Sequence, residues 1–269
     1  MEAGAGGAPK VLRIADTGIE GMEALASTFG PFARELEKLA GVKVEFFPVS
    51  DRTAAITALQ FGQLDLVLAG PSEYIVMRAR LKNAPQPVVG LERPRYHTAF
   101  VVPAESPART LADLRGKSIA MKDPGSTTGH IIPYVMLKEA GLDPDRDVTV
   151  RLLDGARLEA LINGDVDALG SGVRDYDRLV ARFGPERFRI LAESAPVPAD
   201  LFVARGDLSP EFVATLSRLM LEHADTLLPL LLTGGNAERY ESGVKLSPVV
   251  DADYAVIREG YALLKFPLE

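Results

Sequence analysis

The chain has 269 residues, a net charge of −7 and 47% apolar residues. That length supports one large or two medium domains with real cores, and the acidic balance without a Lys/Arg cluster argues against nucleic acid as a partner. The absence of Cys rules out thiol catalysis, disulfides and cysteine-type zinc sites, and the three histidines, His97, His130 and His223, lack metal-ligand spacing.

Residues 1–9, rich in Gly and Ala, read as a flexible tether, of the kind left when an export signal is omitted from a sequence. Val11–Ala15 is predicted as a strand, Phe32–Leu39 as a helix stopped by Gly41, and Val42–Val49 as a second strand. Asp51 reads as the N-cap of a helix over Thr53–Phe61. A strand follows at Leu64–Ala69, a helix at Ser72–Leu81, and strands at Pro87–Leu91 and Thr98–Val102. A second series begins near Pro103, with a short helix at Leu111–Leu114 and a strand at Ser118–Met121. Next come a helix from about His130 to Ala140, a strand at Val148–Leu152, a helix at Leu158–Asn163 and a strand at Val166–Leu169. Asp175–Phe183 reads as a helix and Phe188–Ala192 as a strand. The Pro-rich link Ala195–Ala199 precedes a strand at Leu201–Ala204, and helices near Pro210–Leu227 and Asp253–Leu264 close the chain. The apolar stretch Leu227–Leu232 is interrupted by Pro229 and is too short to cross a membrane.

This alternation predicts an α/β fold with largely parallel sheets. Gly62-Gln63-Leu64-Asp65 and Gly164-Asp165-Val166-Asp167 both read as a turn between a helix and a strand, which points to two similar lobes. Residues 10–100 with 201–269 form the first expected lobe, and 101–200 the second. Extended segments around Ala99–Val102 and Asp200–Ala204 are expected to link them as a two-stranded hinge with a ligand cleft between the lobes.

The run Asp123-Pro124-Gly125-Ser126-Thr127-Thr128-Gly129-His130 carries the most chemistry. Three hydroxyl residues precede a predicted helix. Two readings stand: an ordinary capped helix start, or a cradle of hydroxyls and free amides for a small oxyanion. No cofactor fingerprint and no nucleophile–His–acid constellation accompanies it, so the expectation is a protein without cofactor, metal or catalysis.

The chain resembles the periplasmic substrate-binding proteins of phosphonate, phosphite and phosphate ABC transporters, within the type II periplasmic-binding-protein fold. The resemblance rests on residues 123–129 with Pro133, on Gly62-x-x-Asp65 before Gly70-Pro71-Ser72-x-Tyr74, and on Tyr96. Ser106-Pro107, Leu111-x-Asp113-Leu114 and Pro198-x-Asp200 complete it. It implies two lobes, each a mixed, mostly parallel sheet flanked by helices, and a non-catalytic solute receptor that serves an ABC permease as a monomer. Such a protein is periplasmic or otherwise extracytoplasmic, with a lipid anchor one option for the precursor. The same fold also serves membrane signalling kinases, and binders of other small anions such as carboxylates or amino acids.

Carried over by position, the resemblance places Ser126, Thr127 and Thr128 on the oxyanion-binding hydroxyls. It places Tyr96 on an aromatic hydroxyl contributed from the other lobe, and Asp200 on a ligand-facing carboxylate. Three positions depart from the aminophosphonate pattern: Arg52 replaces a tyrosine, Asp154 a histidine and Arg174 a carboxylate. An Arg in place of a carboxylate removes the partner of a ligand ammonium and adds a donor fork for oxygens. Arg174 and the residues after it, Asp175 to Arg178, read equally as a solvated charged face, and Asp65 and Asp167 as turn residues. Glu73 and Tyr74 read as a helix start, and His97 and His130 as structural or exposed.

Overall fold

The computed structural model describes residues 8–17, 21–50, 52–234, 236–237, 240 and 243–264. Its contacts divide the chain into two units, Met1–Pro94 with Pro198–Tyr254 and Leu268–Glu269, and Arg95–Val197 with Ala255–Pro267. Tyr96 and the last helix, both expected in the first lobe, therefore belong to unit 2 with the hydroxyl run.

In unit 1 the strands are β1 (Val11–Asp16), β2 (Lys43–Phe46), β3 (Leu66–Ala69), β4 (Gln86–Glu92), β10 (Leu201–Ala204) and β11 (Lys245–Ser247), in sheet order β11-β4-β10-β3-β1-β2. In unit 2 they are β5 (Thr98–Pro103), β6 (Ser118–Met121), β7 (Thr149–Leu152), β8 (Ala168–Gly172) and β9 (Phe188–Glu193), in order β7-β6-β8-β5-β9. Each sheet has a parallel trio, β2-β1-β3 or β7-β6-β8, followed by an antiparallel strand. Those antiparallel strands, β10 and β5, are the two extended segments expected to form the hinge. They sit inside separate sheets; the chain passes between the units in the short segment before each of them and again at Tyr254–Ala255. Beside the links, Leu91 N donates to Asp200 O at 2.7 Å within unit 1 and Val197 N donates to Tyr96 O at 3.0 Å within unit 2.

The helices of unit 1 are α1 (Met22–Ala40), α2 (Arg52–Gln60), α3 (Pro71–Arg80), α7 (Pro210–Glu222) and α8 (Ala224–Leu231). Helix α1 starts ten residues before its predicted start at Phe32 and runs through Pro31. An interior Pro costs about 3 kcal/mol, but Leu25, Phe29, Phe32 and Leu36 lie on one face and are at most 1% exposed. Four buried large side chains, at about 1.5–3 kcal/mol each, outweigh that cost. Ala8, expected in a free tether, packs partly buried on the same core; residues 1–7 and Asp51 lie outside the described residues.

Unit 2 carries α4 (Ile132–Glu139), α5 (Arg157–Asn163), α6 (Arg174–Phe183) and α9 (Ala255–Leu264). Along β8 the faces alternate. Leu169 joins Ala160, Leu161, Val173 and Leu179 in the core under α5 and α6. Gly170 faces Pro133 and Phe100, and Gly172 faces Thr128.

Candidate functional site

All six unit 2 residues expected at the ligand lie at one edge of its sheet. Ser126–Thr128 follow β6, Asp154 follows β7, Arg174 follows β8, and Tyr96 precedes antiparallel β5, whose Thr98 is paired with Gly172. The carboxyl ends of parallel strands are where open α/β sheets bind ligands. In unit 1, Arg52 opens α2 after β2, and Asp200 precedes β10, whose Leu201 pairs with Ala69 at the end of β3. Both therefore mark the corresponding edge; the Arg52 side chain lies outside the described residues.

The hydroxyl run is not an α-helical start. Thr127–Ile131 forms a π-helical turn ahead of α4. Pro133 has no N–H, so the Gly129 carbonyl four residues before it gains no helical donor and instead accepts from Lys122 N at 2.8 Å. The Thr128 carbonyl is drawn away by the Thr98 hydroxyl at 2.7 Å. With two acceptors diverted, the Ser126 carbonyl accepts from both His130 N and Ile131 N at 2.9 Å, and the turn widens. Such turns gather at functional sites.

Ser126 occupies the N-cap, yet its hydroxyl makes no cap hydrogen bond. An ordinary capped start would have that oxygen accept from an amide two or three residues on. Ser126 and Thr128 are half-buried, and Thr127 is 6% exposed. The run therefore presents hydroxyl donors beside the amides of a helix start, a combination suited to an anion.

Close packing holds the turn in place. A Cβ on Gly129 would lie 2.5 Å from Lys122 Cβ, and one on Gly172 would lie 2.9 Å from Thr128 Oγ1. Gly125 adopts φ +82° and its amide donates to His130 Nδ1 at 3.2 Å. His130 is 2% exposed and packs on Tyr134, with ring centroids 5.0 Å apart. Burial pushes its pKa down, against the pull of Asp123. The neutral ring is therefore the form that accepts from Gly125. Gly260 of α9 lies against Ile131 and Val135, so the last helix backs the π-helical turn.

The remaining expected residues are placed as follows. Asp200 is 4% exposed, and its Oδ2 accepts from Tyr240 at 2.6 Å. Asp154 is 67% exposed at its side chain and has φ +25°. Arg174 is the first residue of α6, at the helix end that favours anions over cations. Asp175 corrects the reading of a solvated face: it is 3% exposed and salt-bridged by Arg157 and Arg178. Tyr74 is fully buried, donates to Asp251 at 2.8 Å and packs on Tyr254. Among the described residues no His/Asp/Glu group is placed to hold a metal, and no helix is long and apolar enough to cross a membrane.

The family model for the periplasmic phosphonate substrate-binding proteins of ABC transporters matches residues 19–254. The chain belongs to this family. It is accordingly a substrate-binding protein of an ABC importer, an extracytoplasmic component that takes a small ligand to a membrane permease. It is 28% identical to the phosphate-import protein PhnD of Mycolicibacterium smegmatis over 94% of this chain and 85% of the relative. It is also 28% identical to the phosphonates-binding periplasmic protein of Escherichia coli, over 74% of this chain and 62% of the relative. The fold matches PhnD1 of Prochlorococcus marinus, solved in complex with methylphosphonate, at a TM-score of 0.67 and 19% identity, covering 95% of this chain and 98% of that one. It also matches the aliphatic sulphonate binding protein SsuA of E. coli, at a TM-score of 0.64 and 20% identity, covering 96% of this chain and 92% of that one.

Proposed function

We propose that this family member captures a small phosphorus oxyanion (phosphonate, phosphite or phosphate), with the head group held by Ser126, Thr127 and Thr128 at the start of the π-helical turn. Tyr96, Asp154 and Arg174 are the proposed further contacts in unit 2, and Arg52 and Asp200 those in unit 1. The protein acts as a monomer without catalysis, and a lipid anchor on the precursor is compatible with the role. The Ser126 hydroxyl carries the reading: it stands at a helix N-cap and forms no cap bond. Phosphate import by a relative 28% identical supports the ligand class. The Arg at position 174, where the aminophosphonate pattern has a carboxylate, favours a ligand without an ammonium group.

Titration calorimetry with phosphate, phosphite, methylphosphonate, aminoethylphosphonate, sulfate and acetate tests this. At least one of the three ammonium-free phosphorus oxyanions is expected to bind, and more tightly than aminoethylphosphonate. Ser126→Ala is expected to weaken that binding by at least ~1 kcal/mol, the scale of one hydrogen bond to a charged group. Binding of acetate alone, or unchanged affinity in both Ser126→Ala and Thr128→Ala, overturns the reading.

A further inference from the structure

A buried ionic fork joins the loops after β7 and β8, at the same sheet edge as the hydroxyl run. Arg157, the first residue of α5, is 9% exposed. Its Nε donates to Asp175 Oδ2 at 2.7 Å and its Nη2 to Oδ1 at 3.0 Å, a bidentate pair. Its remaining nitrogen, Nη1, donates to the backbone carbonyl of Asp154. The Asp175 carboxylate also accepts from the Ser171 hydroxyl at 2.5 Å and from Arg178 Nη1 at 3.0 Å. One guanidinium thus ties the loop after β7 to the turn from β8 into α6. In the sheet, β6 lies between β7 and β8, so the two tied loops flank the hydroxyl run.

Two features of this fork point beyond stability. A buried ion pair is a poor stabiliser compared with apolar packing, because desolvation offsets much of its attraction. In addition, Asp154 takes φ +25°, a backbone region an L residue rarely adopts, although a glycine stands at the very next position. A strained non-glycine persists where its surroundings over-determine it and its side chain is wanted there. Here the Arg157 bond to the Asp154 carbonyl supplies the restraint, and the Asp154 carboxylate, 67% exposed, lies 4.0 Å from the same guanidinium. Asp175 is the residue after Arg174, so the same fork fixes the backbone that carries that cation.

We propose that Arg157 is a positioning residue for the ligand site: through Asp175 and the Asp154 carbonyl it sets where Asp154 and Arg174 stand beside the hydroxyl run. The inference rests on the reading of that run as the ligand cradle. A lysine cannot replace the fork, because a single ammonium does not reproduce a planar donor set directed at two loops.

A double-mutant cycle in the full chain, with methylphosphonate, phosphite and inorganic phosphate as probes in calorimetry, tests the proposal. Arg157→Lys is expected to weaken binding of the tightest probe at least tenfold while the urea midpoint of the unliganded protein stays close to wild type. In an Asp154→Asn background the further loss caused by Arg157→Lys is expected to shrink at least threefold, since the group being positioned is already altered. Equal losses in the two backgrounds, or no loss at all, overturn the positioning role. Where Arg157→Lys does not fold, Asp175→Asn takes its place in the cycle with the same expectations. Ser126→Ala run alongside separates the two claims. A loss there with an unaffected Arg157→Lys overturns this inference alone, whereas failure of methylphosphonate, phosphate and phosphite alike to bind wild type overturns the cradle reading and this inference with it.

Discussion

In unit 1 the Arg13 amide donates to the Asp65 carboxylate at 2.9 Å, and the Asp65 amide donates back to Arg13 O at 3.0 Å. In unit 2 the Ser118 amide donates to the Asp167 carboxylate at 2.8 Å, and Asp167 N donates back to Ser118 O at 2.9 Å. The same device fastens the central strand of each parallel trio, β1 or β6, to the turn before β3 or β8. The surroundings differ. Asp65 is 1% exposed and faces the guanidiniums of Arg205, at 3.1 Å, and Arg13, at 3.5 Å. The Asp167 side chain is 43% exposed, beside the Ser118 hydroxyl at 2.8 Å and Lys117 at 3.5 Å. Burial pushes the Asp65 pKa up despite its amide and guanidinium partners. At Asp167 burial acts the same way, but the Ser118 amide and hydroxyl with Lys117 prevail and hold it down. The shared sequence pattern therefore specifies a connection, and its depth in the protein sets what breaking it costs.

Asp65→Ala is expected to give the largest effect, about 3 kcal/mol, because it takes a buried acceptor from the Arg13 amide and leaves the nearly buried Arg205 with the half-exposed Asp207 carboxylate, at 3.1 Å, in place of its buried partner. Asp167→Ala removes bonds that water can replace, and is expected to cost about 1 kcal/mol. Urea denaturation of both variants measures the contrast, and equal costs would erase the distinction between the units.

Gly129→Ala probes the feature that unit 2 adds to this frame. Its Cβ meets Lys122 Cβ, not the far end of a flexible chain, so overpacking of about 1–3 kcal/mol is expected, together with weaker ligand binding. An alanine variant with wild-type stability and affinity would mean that the turn is less tightly held than its contacts imply.

The smallest effect is a pH dependence at His130. Its folded pKa lies below the ordinary 6.5, so the unfolded chain takes up a proton first as pH falls. The stability this histidine contributes is thus complete above pH 6.5 and declines as pH drops from there through its folded pKa. Protonation of Nδ1 also removes the acceptor for Gly125 N. Thermal melts of wild type and His130→Gln are expected to diverge in slope below pH 6.5, and parallel profiles would detach His130 from the loop.

Much of the candidate site is legible in the sequence because its signals are local. Ser126-Thr127-Thr128 between glycines is a contiguous string, and Asp154 and Arg174 each follow a strand recognisable from its apolar pattern. What sequence reading missed depends on partners distant in the chain. Asp175 among Arg174, Asp177 and Arg178 looks like an exposed charged face; its burial follows from Arg157, 18 residues earlier, and Ser171. Gly170-Ser171-Gly172 at the end of β8 was the available signal, since glycines in a strand mark close approach of another element. The support from α9 lay out of reach, because a terminal helix carries no mark of which unit it joins.

The sequence by itself determined the α/β alternation, the two-unit plan, the paired Gly-x-x-Asp turns and the family's hydroxyl string. Periodicity, turn residues and short motifs act within a few positions and survive without knowledge of the fold. Tertiary structure alone decided that the string opens as a π-helical turn, because Lys122 N and the Thr98 hydroxyl take carbonyls that an α-helix would use. It likewise decided that α1 runs through Pro31, where a buried face outweighs a local penalty. Between an α-helical and a π-helical opening the local sequence is nearly neutral; the competing donors from outside the turn tip the balance.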